Sequence, residues 1–177
     1  MFPKIVTNRC VLRQIGHADQ RQVFKGLSNK QVIKYYGISF ATFEETKKQI
    51  DWYEDLYKSG KGIWWGISLK ESPVLLGACG FNNISKENQN AEMGYWLLPE
   101  YWSKGIMKEV LPEILSYAFS SLRLHKIIAS VETENIASIS LLQKLGFKFE
   151  GRLKECEFKN DKFIDLNYYG LLERDVL

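Results

Sequence analysis

The stretch Ala91-Glu92-Met93-Gly94-Tyr95-Trp96-Leu97-Leu98-Pro99-Glu100-Tyr101-Trp102-Ser103-Lys104-Gly105-Ile106-Met107 changes periodicity midway, and that change decides the fold. Asn90 to Leu98 reads as a strand. From Ile106 onward, Ile106, Val110, Ile114 and Ala118 recur every four residues with Leu111, Leu115, Phe119 and Leu122 beside them, which is one continuous apolar helix face. A strand that runs through a short turn into a long helix leaves backbone N–H groups at the helix start without internal partners, at the positive end of the dipole. Such a terminus accepts phosphate. Gly105 lets a ligand approach the backbone and Lys104 adds a point charge. The spacing matches neither the phosphate loop of nucleotide hydrolases nor the dinucleotide fingerprint, so by itself the turn is either an anion site or a plain surface turn.

Working outward, Thr7 to Gln14 reads as a strand, followed by helical segments at about 18–35 and 43–58, the second opened by Thr42 as N-cap. Trp64 to Leu69 and Val74 to Phe81 flank the turn Lys70-Glu71-Ser72-Pro73. Beyond the long helix comes a strand from Lys126 to Glu132, then a helix capped by Asn135 and ended at Gly146 in a left-handed cap. Phe147 to Phe158 and Phe163 to Leu172 form a hairpin around residues 159–162. Pro112 falls inside the long helix, but positions 108, 112 and 116 lie away from the apolar stripe, so a kink is expected there and not a break. No linker or repeat interrupts the chain, and residues 1–177 read as one mixed α/β domain, a mostly antiparallel central sheet with helices on both faces.

Composition narrows the function. Apolar residues make up 45% and charged residues 25%, the balance of a globular chain. A net charge of +3, well mixed along the sequence, argues against direct nucleic-acid binding. Cys10, Cys79 and Cys156 are isolated, at no metal-ligand spacing, and His17 and His125 have no paired ligands, so no metal site is expected. With no signal-peptide design and no membrane-length apolar run, the expected location is the cytoplasm, away from any membrane. The oligomeric state, monomer or homodimer, stays open.

The segment Glu134-Asn135-Ile136-Ala137-Ser138-Ile139-Ser140-Leu141-Leu142-Gln143-Lys144-Leu145-Gly146-Phe147, together with 91–96 and 99–107, resembles the GNAT superfamily. Within it, the opening residues 7–13 and the closing residues 151–174 look like the branch of ribosomal-protein N-terminal alanine acetyltransferases, so the resemblance covers about 7–175. It implies acetyl-coenzyme A as co-substrate and an amine as acceptor. The family pattern is Gln or Arg, two residues, Gly, one residue, then Gly or Ala; Trp102, Gly105 and Met107 hold those places, and of the three Gly105 matches. By resemblance, main-chain donors of Trp102, Ser103, Lys104, Gly105, Ile106, Met107 and Lys108 hold the pyrophosphate. The strand end Trp96, Leu97 and Leu98 pairs with the pantetheine arm, and Asn135 contacts its amides.

Attack of an amine on a thioester needs a base, stabilisation of the carbonyl oxygen, and a partner for the thiolate. Glu92 shares a strand face with Gly94, Trp96 and Leu98, a mostly apolar surface opened by a glycine, where a carboxylate can act as base. Binding the acceptor's amine, or pairing with a neighbouring strand's cation, are its other readings. N–H groups near Leu97 and Leu98 would meet the oxyanion, as the resemblance implies. Many GNAT enzymes place a tyrosine seven residues after the asparagine; Leu142 stands there, and Ser138, one turn earlier on the same face, is the candidate thiolate partner, with an ordinary helix serine as the alternative. Asn135 is equally suited to plain N-capping. The acceptor itself is a protein N-terminus or a small amine such as a polyamine, amino sugar or drug, with a non-catalytic acyl-coenzyme A sensor as the reading from another class.

Overall fold

The structure is a computed structural model in which residues 1–176 are described. One eight-stranded sheet runs in the order β1-β2-β3-β4-β5-β6-β8-β7. Its strands are β1 (Ile5–Val6), β2 (Cys10–Gln14), β3 (Ile63–Leu69), β4 (Ser72–Ser85), β5 (Asn90–Leu97), β6 (Lys126–Glu132), β7 (Lys148–Lys159) and β8 (Lys162–Leu172). Neighbours pair antiparallel except β5 and β6, which are parallel. A parallel pair needs a crossover, and α4 (Ile106–Ser120) supplies it. The expected fold class is therefore present.

Strand alternation sorts the core into two layers. Ala91, Met93 and Leu97 of β5 and Ile127, Ala129 and Val131 of β6 face the apolar stripe of α4 and Leu142 of α5 (Ile136–Lys144). On the other side, Trp64, Ala78, Trp96 and Leu98 pack against α1 (Gln20–Leu27), α2 (Lys30–Ile33) and α3 (Lys47–Lys58). α4 continues unbroken through Pro112, which is exposed, as is Lys108, whose carbonyl would have taken the missing bond.

Two local expectations are met in detail. The Thr42 hydroxyl accepts from Glu45 N–H at 3.3 Å while Glu45 Oε2 accepts from Thr42 N–H at 3.4 Å, a reciprocal cap. α5 ends in a Schellman arrangement, with Gly146 at φ 89°, Gly146 N–H bonded to Gln143 O and Phe147 N–H to Leu142 O.

Three boundaries differ. The strand expected over 7–14 is broken by a tight turn, because Thr7 N–H donates to Cys10 O at 3.0 Å and the Thr7 hydroxyl accepts from Cys10 N–H at 3.0 Å. The helix expected over 18–35 splits at Asn29, whose side chain caps α2 by accepting from Gln31 N–H. The hairpin turn shortens to Lys70-Glu71, so β4 includes Pro73 and extends to Ser85.

Candidate active site

β5 and β6 pair at only three positions, Asn90 with Lys126, Ala91 with Ile127 and Glu92 with Ile128, and beyond Glu92 they part. β6 stays with β8 as far as Glu132, and β5 stays with β4 as far as Leu97. The sheet therefore opens into a wedge with Glu92 at its apex. Leu98 N–H donates to Leu76 O at 2.8 Å, and antiparallel alternation then turns the Trp96 and Gly94 amides to β4 and the Tyr95 and Leu97 amides into the wedge. Of the two amides expected to meet an oxyanion, Leu97 is free to do so. Leu98 is not, because β4 already uses its N–H.

The wedge opens toward the N-terminus of α4. Gly105 is the N-cap residue at φ 77°, a left-handed backbone that side chains with a Cβ adopt at a cost. Among the described residues, the N–H groups of Ser103, Lys104, Gly105, Ile106, Met107 and Lys108 donate to no protein acceptor, and the first backbone bond of the helix is Glu109 N–H to Gly105 O at 3.1 Å. Six consecutive free donors fit a pyrophosphate. Trp102, expected among the donors, is not one: its N–H closes the preceding turn onto Pro99 O at 3.0 Å, and its indole N–H donates to Leu97 O at 2.7 Å. The Met107 side chain packs against the core.

A strap from the chain start braces this loop. Arg9 donates Nε–H to Glu109 Oε2 at 2.6 Å and Nη1–H to the Lys104 carbonyl at 3.1 Å, while Glu109 Oε1 accepts from Thr7 Oγ1 and Arg9 N–H. Burial alone would raise the Glu109 carboxyl, but the Thr7 hydroxyl, the Arg9 N–H and the Arg9 guanidinium outweigh it and hold the group at about 2. Neither residue was singled out from sequence, where 100 positions separate them.

At the apex, Glu92 is half-buried. Its Oε1 accepts from Ser130 Oγ on β6 at 2.8 Å, and its Oε2 from Asn83 Nδ2 at 3.3 Å; Asn83 stands at the irregularity in β4 with φ 53°. Both donors are neutral. The pairing with a neighbouring strand's cation is thus not what holds Glu92: on this face Glu132 takes Lys159 at 2.6 Å and Glu150 takes Lys126 at 2.7 Å, while Glu92 has no ion pair among the described residues. Lys159 also donates to Lys34 O, which fastens the β7–β8 hairpin to the end of α2.

The expected opening above Gly94 is filled. A Cβ there would lie 2.8 Å from the Trp64 ring, whose indole N–H is held by Asn82. Gly94 therefore admits the indole. Trp64 in turn packs against Trp52 and Tyr53 of α3, at ring separations of 6.1 and 5.5 Å, so α3 borders Glu92's face of the sheet.

Asn135 caps α5, its Oδ1 accepting from Ser138 N–H at 3.2 Å. The Ser138 hydroxyl lies 2.7 Å from the Tyr95 hydroxyl. Tyr95 was not considered from sequence; 43 positions separate it from Ser138, and no spacing rule joins them.

A split parallel pair, a row of free amides at a helix start and a carboxylate at the apex thus lie together, and comparison with known proteins shows the family to which the chain belongs. A model of the acetyltransferase (GNAT) domain matches residues 9–148. The uncharacterized N-acetyltransferase YoaA of Bacillus subtilis (strain 168) is 37% identical over 174 residues, covering 98% of each chain. The ribosomal-protein-serine acetyltransferase of Escherichia coli (strain K12) is 30% identical, covering 72% of this chain and 70% of its own. A crystal structure of the spermidine N-acetyltransferase from Vibrio cholerae in complex with CoA and spermine superposes with TM-score 0.84 at 24% identity, covering 94% of this chain and 96% of its own. The chain belongs to the GNAT acetyltransferase family and is an acetyl-CoA-dependent N-acetyltransferase.

Proposed function

We propose that the protein transfers the acetyl group of acetyl-CoA to the α-amine of a protein N-terminus, by direct attack on the thioester with Glu92 as base. The observation that carries this reading is the apex carboxylate, half-buried and held by Ser130 and Asn83, two donors that leave its charge uncancelled. A carboxylate so held can receive an amine's proton, directly or through one water. The free amides of Ser103 to Lys108 suit the pyrophosphate, the wedge amides of Tyr95 and Leu97 suit the pantetheine arm and the carbonyl oxygen, and Asn135 and Ser138 border the same wedge.

Charge supports an N-terminus over a polyamine. Glu132 and Glu150, two further carboxylates of this face, are paired with lysines, and Glu157 stands out on β7 opposite Ile164, so Glu92 is the uncancelled carboxylate at the apex. An α-amine, with pKa near 7.7–8.0, is also about half deprotonated near pH 8, whereas a lysine-like alkyl amine near 10.4 is almost wholly protonated there. The relationship to the Escherichia coli ribosomal-protein-serine acetyltransferase points the same way.

The test is thiol release from acetyl-CoA with a panel of N-terminal peptides, spermidine and amino sugars. Peptides are expected to be turned over best, and Glu92→Gln to lower kcat by roughly 10²–10⁴ while leaving acetyl-CoA affinity in place. Faster turnover of spermidine would replace the acceptor. Wild-type rates in Glu92→Gln across the pH range would remove Glu92 as base.

A further inference from the structure

Tyr95 lies on the β5 face that carries Met93 and Leu97, its ring packed against the core beneath α4 and α5. Its hydroxyl bond to Ser138 runs from one side of the wedge to the first turn of α5, which follows β6 on the other side. A serine in or beside a helix can bond its own backbone, as Ser120 of α4 does by donating to Ser116 O and Ser28 at the end of α1 by donating to Phe24 O, both at 2.7 Å. Ser138 does not; among the described residues Tyr95 is the partner of its hydroxyl. A hydroxyl has one hydrogen and two lone pairs, so a serine that accepts from a phenol keeps its own hydrogen for a third group.

We propose that Tyr95 is a positioning residue for acyl transfer: by donating its O–H to Ser138 Oγ, it aims the serine's hydrogen at the departing sulfur of the coenzyme. This rests on the acetyltransferase reading of Ser138 given above. As the tetrahedral intermediate collapses, the C–S bond breaks and its electron pair goes to sulfur, the amine's proton leaves through Glu92, and the new thiolate receives the Ser138 O–H as a hydrogen bond. Tyr95 keeps its own proton. Burial pushes its phenol up to about 12, well above a thiol near 8.5, so the proton has no downhill route to sulfur. The pair stabilises the thiolate by donation, and solvent protonates it after release.

The test compares wild type, Y95F, S138A and the double variant with acetyl-CoA and a peptide acceptor. Y95F is expected to lower kcat about tenfold and S138A about a hundredfold, each with unchanged acetyl-CoA affinity and thermal midpoint. The double variant should be no slower than S138A, because the tyrosine acts through the serine. Additive losses, or wild-type turnover in Y95F, would overturn the proposal. Should Y95F fail to fold, 3-fluorotyrosine at position 95, a stronger donor of the same shape, should raise kcat severalfold, and an unchanged rate would overturn it equally. A wild-type protein that transfers no acetyl group to any amine would instead defeat the acetyltransferase reading itself.

Discussion

Glu109 illustrates what a single residue contributes that its sequence neighbours do not disclose. It reads as an ordinary first-turn acid of α4, favourable to the helix dipole. In the fold it gathers Thr7, the Arg9 backbone and the Arg9 guanidinium, and through Arg9 it steadies the Lys104 carbonyl beside the row of free amides. Its carboxyl is held at about 2 against roughly 4.3 in an unfolded chain. A depressed acid contributes stability that is complete above the unfolded value and is lost as pH falls through the folded one. Thermal unfolding of wild type and Glu109→Gln should therefore differ most at pH 6–7, converge below about pH 4, and coincide near pH 2. A gap independent of pH would mean that shape, not charge, holds the strap. Gly105, Gly146, Asn135 and Thr42 were legible from sequence because their work is done within a few positions of themselves. Arg9, Ser130, Asn83 and Tyr95 were not, because each serves a partner brought close only by the sheet.

Among the elements, the long helix was the most readable and carries the clearest local cost. Its apolar stripe is buried as the four-residue repeat requires, and Pro112 occupies the solvent side. Proline in a helix interior is about 3 kcal/mol less favourable than alanine, part of which is returned by the stiffer unfolded chain. Pro112→Ala restores the donor to the Lys108 carbonyl and should stabilise the protein by about 2 kcal/mol, which for a chain of this size is roughly 4–8 °C in thermal midpoint. An unchanged or lower midpoint would show that the helix is shaped around the proline. Gly94 is the element-level misreading with functional weight. From sequence it opens β5 to an acceptor, yet its missing side chain is the seat of Trp64, 30 positions earlier on a strand two places across the sheet. Alternation identified the face correctly; only the packing of β3 shows what occupies it.

At the scale of the molecule, the sheet is two sheets sharing three residue pairs, and acetyl-CoA is the ligand expected to join them beyond Glu92. In the free protein the Tyr95 and Leu97 amides point into the wedge and those of Ser103 to Lys108 out of the helix start, so both groups should exchange quickly with solvent. Coenzyme A should slow exchange in both. Adenosine 3′,5′-bisphosphate, which lacks the pantetheine arm, should slow it at 103–108 and leave Tyr95 and Leu97 fast. Gly105→Val separates the two contributions from the protein's side: its φ of 77° is strained for a β-branched residue, so coenzyme binding should weaken tenfold or more, equivalent to about 1.4 kcal/mol. Coenzyme supplied in excess should still protect the wedge amides, because the β4–β5 pairing that directs them is remote from the substituted turn. If the nucleotide fragment protects Tyr95 and Leu97 as well, the halves close together as a body and the wedge is not a pantetheine slot. If a folded Gly105→Val binds coenzyme as tightly as wild type by calorimetry, the phosphates lie elsewhere and the free amides at the start of α4 serve another purpose.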